Sequence, residues 1–203
     1  MNKVVIIGAG GFGREVHQTL NYIKEFELVG YVDDHIDKGT VINGYPVLGG
    51  LDWFENNKAK AIIAVGDPKS RKRIAETITD FENIIHPTSI ISETSTINQG
   101  VVIQSNCVIT VNVKIGKHVH VNIFSSIGHD CIVGDYVTLS PDVHINGNVT
   151  VGDGTFFGSG VQTIQGIDIG KNCVIGAGAV VIDDVPDNSL YVGIPAKFKK
   201  NVL

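Results

Sequence analysis

The chain has 203 residues, a formal net charge of −5, 24 glycines and one methionine. Its charges are spread over both halves, which excludes a basic groove for nucleic acid and a polybasic membrane patch. No apolar run approaches the roughly 18 residues of a membrane span. Met1-Asn2-Lys3 leads straight into a strand-like run, which does not fit a signal peptide.

Residues 1–86 alternate between strand and helix patterns. Lys3-Val4-Val5-Ile6-Ile7 reads as a buried strand, followed by Gly8-Ala9-Gly10-Gly11-Phe12-Gly13 and a helix to about Lys24. Phe26 to Val32 is a second strand ending in Asp33-Asp34, and Ala61 to Val65 a third. Gly66-Asp67-Pro68 then opens a helix from Lys69 to about Thr79, with proline as the start signal. The β-α-β order predicts a small parallel sheet of Rossmann-like type. Trp53 is expected to pack between domains.

Gly8, Gly10 and Gly13 fit a dinucleotide fingerprint, with Asp33 twenty residues beyond Gly13. The segment is too short for both halves of a full dinucleotide fold. What survives is an anion site at a helix amino-terminus, with an acid near a ribose or base. The diphosphate of an activated sugar suits that site; a nicotinamide dinucleotide or a purely structural turn are the alternatives.

His86-Pro87 marks the junction to a second domain, 87–203. From Ile91 to Val181 an inward-type residue recurs every six positions; fifteen of the sixteen are large and apolar, and Thr163 is the exception. The position two before each is small or β-branched and includes all three cysteines, Cys107, Cys131 and Cys173. Packed thiols are therefore expected, and an odd count without paired spacing gives no disulfide framework, as in a cytoplasmic chain. Residues just after the large position, such as Gly116, Asn122 and Gly128, suit turns. A six-residue period fits short strands broken by turns, three to a coil. The expected fold is a left-handed parallel β-helix of five coils from Ile91 to Val181. At about 4.8 Å per coil it is roughly 24 Å long.

On this prism Gly128-His129-Asp130 falls at a turn, with Ile127 pointing inward. A histidine beside a carboxylate is a candidate general base, and a solvated surface histidine is the alternative.

The chain resembles the sugar O-acyltransferase family, which includes sialic acid O-acetyltransferases and N-acetyltransferases of nucleotide-linked 4-amino sugars. The matching pieces are the Gly8–Gly13 loop, Val32-Asp33-Asp34, Ala64-Val65-Gly66 with Arg71, Ile85-His86-Pro87, Gly128-His129-Asp130-Cys131, Asn146-Gly147-Asn148-Val149, Gly176-Ala177-Gly178-Ala179 and Gly193-Ile194-Pro195-Ala196-Lys197. The resemblance implies a homotrimer with acetyl-CoA between neighbouring prisms. It implies His129 as general base, Asp130 as its partner, and Gly147 offering its N–H to the thioester oxygen. Gly147, Gly176, Ala177, Gly178, Pro195 and Lys197 are the implied cofactor contacts. Gly8, Gly10, Gly11, Phe12, Gly13, Asp33, Asp34, Gly66, Asp67 and Asn122 are the implied substrate contacts. Two positions depart from the family: Phe12 and Thr138 stand where members carry histidine.

The expected chemistry is direct acetyl transfer to a nucleotide-linked amino sugar, or to a hydroxyl of sialic acid or another sugar. Lys171, Lys197, Lys199 and Lys200 are candidates for the CoA phosphates. A zinc hydratase on the same prism would need a second histidine where Gly134 stands, so no metal is expected. A non-catalytic nucleotide-sugar sensor is the rival of another class.

Overall fold

The computed structural model describes residues 2–202; Met1 and Leu203, at the outer ends of the two expected domains, lie outside the described residues. β1 (Asn2–Ile7) is the centre of a parallel three-stranded sheet, between β2 (Phe26–Val32) and β5 (Lys60–Ile63). Val4 to Ile7 are buried because both faces of this strand are covered. Val4 and Ile6 pack with Val16 and Leu20 of α1 (Gly11–Leu20) and with Ile84 and Val102 of the second domain. Val5 and Ile7 face the other way, towards α2 (Trp53–Asn56) and α3 (Pro68–Ala75). A small antiparallel ribbon, β3 (Val41–Ile42) with β4 (Tyr45–Pro46), lies between β2 and α2.

Four expectations shift. α1 stops at Leu20, short of Lys24, because Tyr22 N–H bonds Thr19 O and Ile23 N–H bonds Leu20 O, three residues back. α3 begins at Pro68, where the Asp67 side chain accepts from Ser70 N–H at 2.7 Å, and ends at Ala75, short of Thr79. β5 ends at Ile63, because the Val65 and Gly66 carbonyls turn away to Arg71. Trp53 packs edge-on to Phe54 in the outer cluster of the first domain, away from the domain junction.

From Ile84 onward two-residue strands stack every eighteen residues into three parallel sheets. The first face carries Ile84–Ile85, Val102–Ile103, His120–Val121, Thr138–Leu139, Phe156–Phe157 and Val174–Ile175. The second face runs from Ile90–Ile91 to Val180–Val181 through Ser126–Ile127 and His144–Ile145; the third runs from Thr96–Ile97 to Asp168–Ile169. The second face alone has six strands, so the left-handed prism has about six coils, one more than the repeat count. The added coil starts at Ile84–Ile85. A hairpin of Ser189–Val192 and Lys197–Asn201 closes the top of the first face.

Thr163 is buried like its apolar counterparts, and its hydroxyl accepts from Asn146 N–H at 3.0 Å. The three cysteines are buried and free. The left-handed backbone conformation recurs every six residues from Gly100 to Gly178, three positions after each large inward residue. The glycines one position after it serve another need: a Cβ on Gly128 would lie 2.6 Å from Gly147 N of the next coil.

The domains meet at Arg71, which is fully buried on α3. Its Nε donates to His118 O, Nη1 to Val65 O, Gly66 O and His120 Nδ1, and Nη2 to Tyr136 O, Val137 O and Thr138 Oγ1. All five guanidinium N–H groups are used. Burial lowers its pKa to about 9, so the group remains a cation at neutral pH. His120 donates from Nε2 to Ile63 O, which leaves Nδ1 to accept from Arg71. Burial, then the Arg71 charge, pushes His118 down to about 4 and His120 well below its ordinary value.

Candidate active site

Ile127 and Cys131 are fully buried and anchor the turn Gly128-His129-Asp130 at the edge between the second and third faces. Asp130 takes the left-handed conformation (φ 58°), and its Oδ2 accepts from His129 Nδ1 at 2.9 Å. Its Oδ1 accepts from Asn112 Nδ2, one coil below, at 3.0 Å. The Asn112 hydrogen bond, then that of His129, holds the Asp130 carboxyl below its usual range. The ring is thus fixed with its proton on Nδ1 and a lone pair on Nε2.

Above it, Gly147 faces the imidazole: an added Cβ would fall against Nε2 and 2.6 Å from Cε1. Gly147 O accepts from Gly166 N–H, while Gly147 N–H meets no carbonyl among the described residues. The exposed His129 ring and the buried Gly147, whose N–H is unengaged among the described residues, are therefore adjacent, which is the pairing acyl transfer from a thioester needs.

Gly8, at the start of the glycine loop, lines a second concavity of about 380 Å³ together with Asp33, Asp34, His35, Ser70 and Arg73. Gly8 needs glycine, because its φ is 98° and a Cβ there would lie 2.9 Å from Ala64 O. Gly13 packs directly on Gly8 O. Gly10 and Gly11 differ, because a Cβ there would meet nothing within 4 Å. Gly10 caps α1 without a side-chain bond, so the helix amino-terminus has donors to offer an anion. Asp33 braces this loop through Ala9 N–H and His35 N–H, both at 2.9 Å, and Asp34 accepts from Leu51 N–H.

Other expected contacts lie elsewhere. Phe12 turns its ring into the domain junction, 5.0 Å from His120. Gly66 O is taken by Arg71 and Thr138, and Asp67 by Ser70, so both serve the junction and α3. Asn122 lines a separate groove beside α1. Gly176, Ala177 and Gly178 lie at the edge between the first and second faces, across the second face from His129. Lys197 pairs with Asp183 at 3.5 Å, on the His129 edge two coils above Gly147, and Pro195 lies in the segment leading to it. Arg73 and Asn112 had no role from sequence; the eighteen-residue spacing of Asn112 from Asp130 was the signal for the second.

The chain matches the PglD N-terminal domain over residues 3–78, the bacterial transferase hexapeptide (six repeats) over 112–147, and the hexapeptide repeat of succinyl-transferase over 148–182. It is 36% identical over 142 residues to the GDP-perosamine N-acetyltransferase of Escherichia coli O157:H7, covering 64% of this chain and 63% of that protein. A UDP-N-acetylbacillosamine N-acetyltransferase of Bacillus subtilis is 31% identical over 46% of this chain and 47% of its own length. The matched region therefore spans about half to two thirds of these curated relatives. Among solved structures, PerB from Caulobacter crescentus in complex with CoA and GDP-perosamine has a TM-score of 0.90 and 30% identity, covering 98% of both chains. The acetyltransferase domain of PglB from Neisseria gonorrhoeae in complex with acetyl coenzyme A has a TM-score of 0.91 and 30% identity, over 98% of this chain and all of that one. The chain belongs to the hexapeptide-repeat sugar acyltransferase family that includes the nucleotide-linked 4-amino-sugar N-acetyltransferases.

Proposed function

We propose that the protein transfers an acetyl group from acetyl-CoA to the amine of a nucleotide-linked amino sugar. The carrying observation is the placement of the His129 ring, held by Asp130, against Gly147 of the next coil. Acetyl-CoA supplies the activated acetyl group. As the amine nitrogen attacks the thioester carbon, His129 Nε2 takes its proton and Asp130 stabilises the imidazolium. The carbonyl oxygen gains charge towards Gly147 N–H, and the C–S bond then breaks to release CoA as a thiolate. The nitrogen acceptor is supported by the names of the relatives, which are N-acetyltransferases. The open α1 amino-terminus at Gly10 and Gly11 suits the diphosphate, and Lys197 suits a CoA phosphate.

A homotrimer is part of this reading, and the placement of the domains supports contact between copies. The first domain docks on the first face, while His129 lies on the opposite edge of the prism. On this reading a sugar nucleotide held by one copy is acetylated at His129 of another. The second face suits the contact: its outward row Ile90, Val108, Ser126, His144, Gln162 and Val180 carries no lysine, arginine or carboxylate. Ile90 (67%), Val108 (38%) and the flanking Phe124 (55%) are exposed. The third face presents Lys114 and Asp168 instead. We place the reaction in the cytoplasm, which the three free, buried cysteines support. Among the described residues no helix is long and apolar enough to cross a membrane.

The test is release of CoA thiol from acetyl-CoA with GDP-perosamine, a UDP-linked 4-amino sugar, or sialic acid as acceptor. Turnover with a nucleotide-linked amine that collapses in His129→Ala supports the reading. Turnover with sialic acid alone, or none with any acceptor, overturns it.

A further inference from the structure

Thr163 breaks an otherwise apolar inward row, and it does so one coil above Ile145, beside the segment that leads into Gly147. Ile91, Ile109, Ile127, Ile145 and Val181 fill the same row on the second face. Nothing in that apolar stack calls for a hydroxyl, and valine has the same shape without one.

The hydrogen bonds around Thr163 differ from those of the other coils. Elsewhere the residue after a large inward position gives its N–H to the inward carbonyl of the coil above. Asn98 N–H bonds Ile115 O at 3.1 Å, Asn122 N–H bonds Leu139 O at 3.0 Å, and Gly128 N–H bonds Ile145 O at 2.7 Å. Both asparagines add their Nδ2 to that same carbonyl. Asn146 departs from its two counterparts. Its Nδ2 donates to Thr163 O at 2.6 Å, while its backbone N–H goes to the Thr163 hydroxyl at 3.0 Å. Strands His144–Ile145 and Gln162–Thr163 accordingly keep only the His144–Gln162 pairing, where the stacked strands below and above keep both.

The displaced residue contributes the carbonyl of the peptide whose N–H is the oxyanion donor. Asn146 O turns into the prism, where Cys131 Sγ donates to it at 3.0 Å. Burial pushes the Cys131 thiol up, so it stays protonated and can donate. In a trans peptide the C=O and N–H point opposite ways, so Gly147 N–H is aimed away from the prism interior. Resting on the acetyltransferase reading above, we propose that Thr163 is a positioning residue for the transfer. Its hydroxyl holds Asn146 N–H out of the regular ladder and so sets the angle at which Gly147 N–H meets the thioester oxygen. Thr163 is itself buried and acts only through this peptide.

The test compares Thr163→Val and Thr163→Ser with wild type, using acetyl-CoA with GDP-perosamine or a UDP-linked 4-amino sugar. In Thr163→Val the ladder is free to close as it does at Asn98 and Asn122, so the melting temperature should hold or rise. Its kcat should nevertheless fall about tenfold or more, because a small misplacement of a catalytic group is costly. Both KM values should stay within about twofold, since the contact is made in the transition state. Thr163→Ser keeps the hydroxyl and should recover most of the wild-type kcat. Added to Gly147→Ala, Thr163→Val should cost little more, because both act on one N–H. If Thr163→Val melts early, Thr163→Ala, which cannot overfill the row, carries the same comparison. Wild-type kcat in the variants lacking the hydroxyl, an equal loss in Thr163→Ser, or a full further loss on Gly147→Ala overturns the assignment of Thr163. Wild-type turnover would still uphold the acetyltransferase in each of those cases. No CoA release by the wild type with either sugar nucleotide overturns both.

Discussion

The imidazole of His129 lies across Gly147, eighteen residues later, so closely that no side chain fits between them. Gly147→Ala should therefore displace the ring or block the thioester, with kcat falling about 10² to 10³-fold, the worth of an oxyanion donor. Gly147 does not need the left-handed conformation, so the melting temperature should move little. A fully active Gly147→Ala enzyme would place the oxyanion donor elsewhere.

His129→Ala should lower kcat by about 10² to 10⁴ and leave both substrate affinities within a few-fold. Asp130→Asn should cost less, because the group holds the ring and moves no proton. Asn112→Ala, which frees one Asp130 oxygen, should cost less again. Steady-state kinetics with both substrates varied checks the order. If His129→Ala keeps more than about a third of kcat, His144 is the next candidate, since it is part-exposed on the second face. His120 is not, with both ring nitrogens engaged in the buried junction.

Arg71→Met should destabilise the protein by about 3–5 kcal/mol, because it strands the carbonyls and the Thr138 hydroxyl that the guanidinium now satisfies. Urea unfolding should show the midpoint drop. Separate transitions for the two domains would show that Arg71 also couples them.

Acid should weaken the same junction. His118 titrates at about 4 in the native protein and His120 well below its ordinary value, while an unfolded imidazole takes its proton near about 6.5. As pH falls from about 6.5 towards 4, the unfolded chain binds protons that the native state does not, and stability is lost; above about 6.5 the contribution is complete. Urea midpoints measured across that range should fall on the acid side. His118→Phe, which keeps a ring between Phe81 and Tyr136, should reduce the slope. An unaltered slope would clear His118 of that proton uptake.

Gly10→Val should raise the acceptor KM far more than the acetyl-CoA KM, because the space it fills is empty of protein and open to a ligand. Stoichiometric binding of a nicotinamide dinucleotide by the wild type in calorimetry would argue against the sugar-nucleotide site.

The prism was legible because a six-residue period reports burial directly: Ile103 to Val181 are buried at every large position. The catalytic edge was legible only in part. His129 and Asp130 are sequence neighbours, whereas Asn112 reaches Asp130 through the coil and becomes visible only when residues eighteen apart are compared. The turn glycines have a different physical cause from the one their composition suggests, since Gly128 is needed for its neighbour above and the left-handed residue is Asp130. Arg71 could not be placed from sequence, because six of its seven acceptors are distinguished by position and not by residue type: five are backbone carbonyls, and His120 Nδ1 is set by its bond to Ile63. Phe12 and Trp53 show the same limit, since an aromatic ring near a boundary can turn to either side.

Arg71 bonds the carbonyls of His118 and Tyr136, which are eighteen residues apart and so begin and end a single coil. His129 lies within that coil. The Arg71 guanidinium thus grips the turn of the prism that carries the base. Whole coils gained or lost above the coil of Gly147 would lengthen or shorten the molecule without moving the base relative to Gly147 or the glycine loop. A six-residue insertion inside the turn would instead carry His129 round to a different edge. Tolerance to insertion should therefore be high beyond Gly147 and vanish between Ile84 and Gly147.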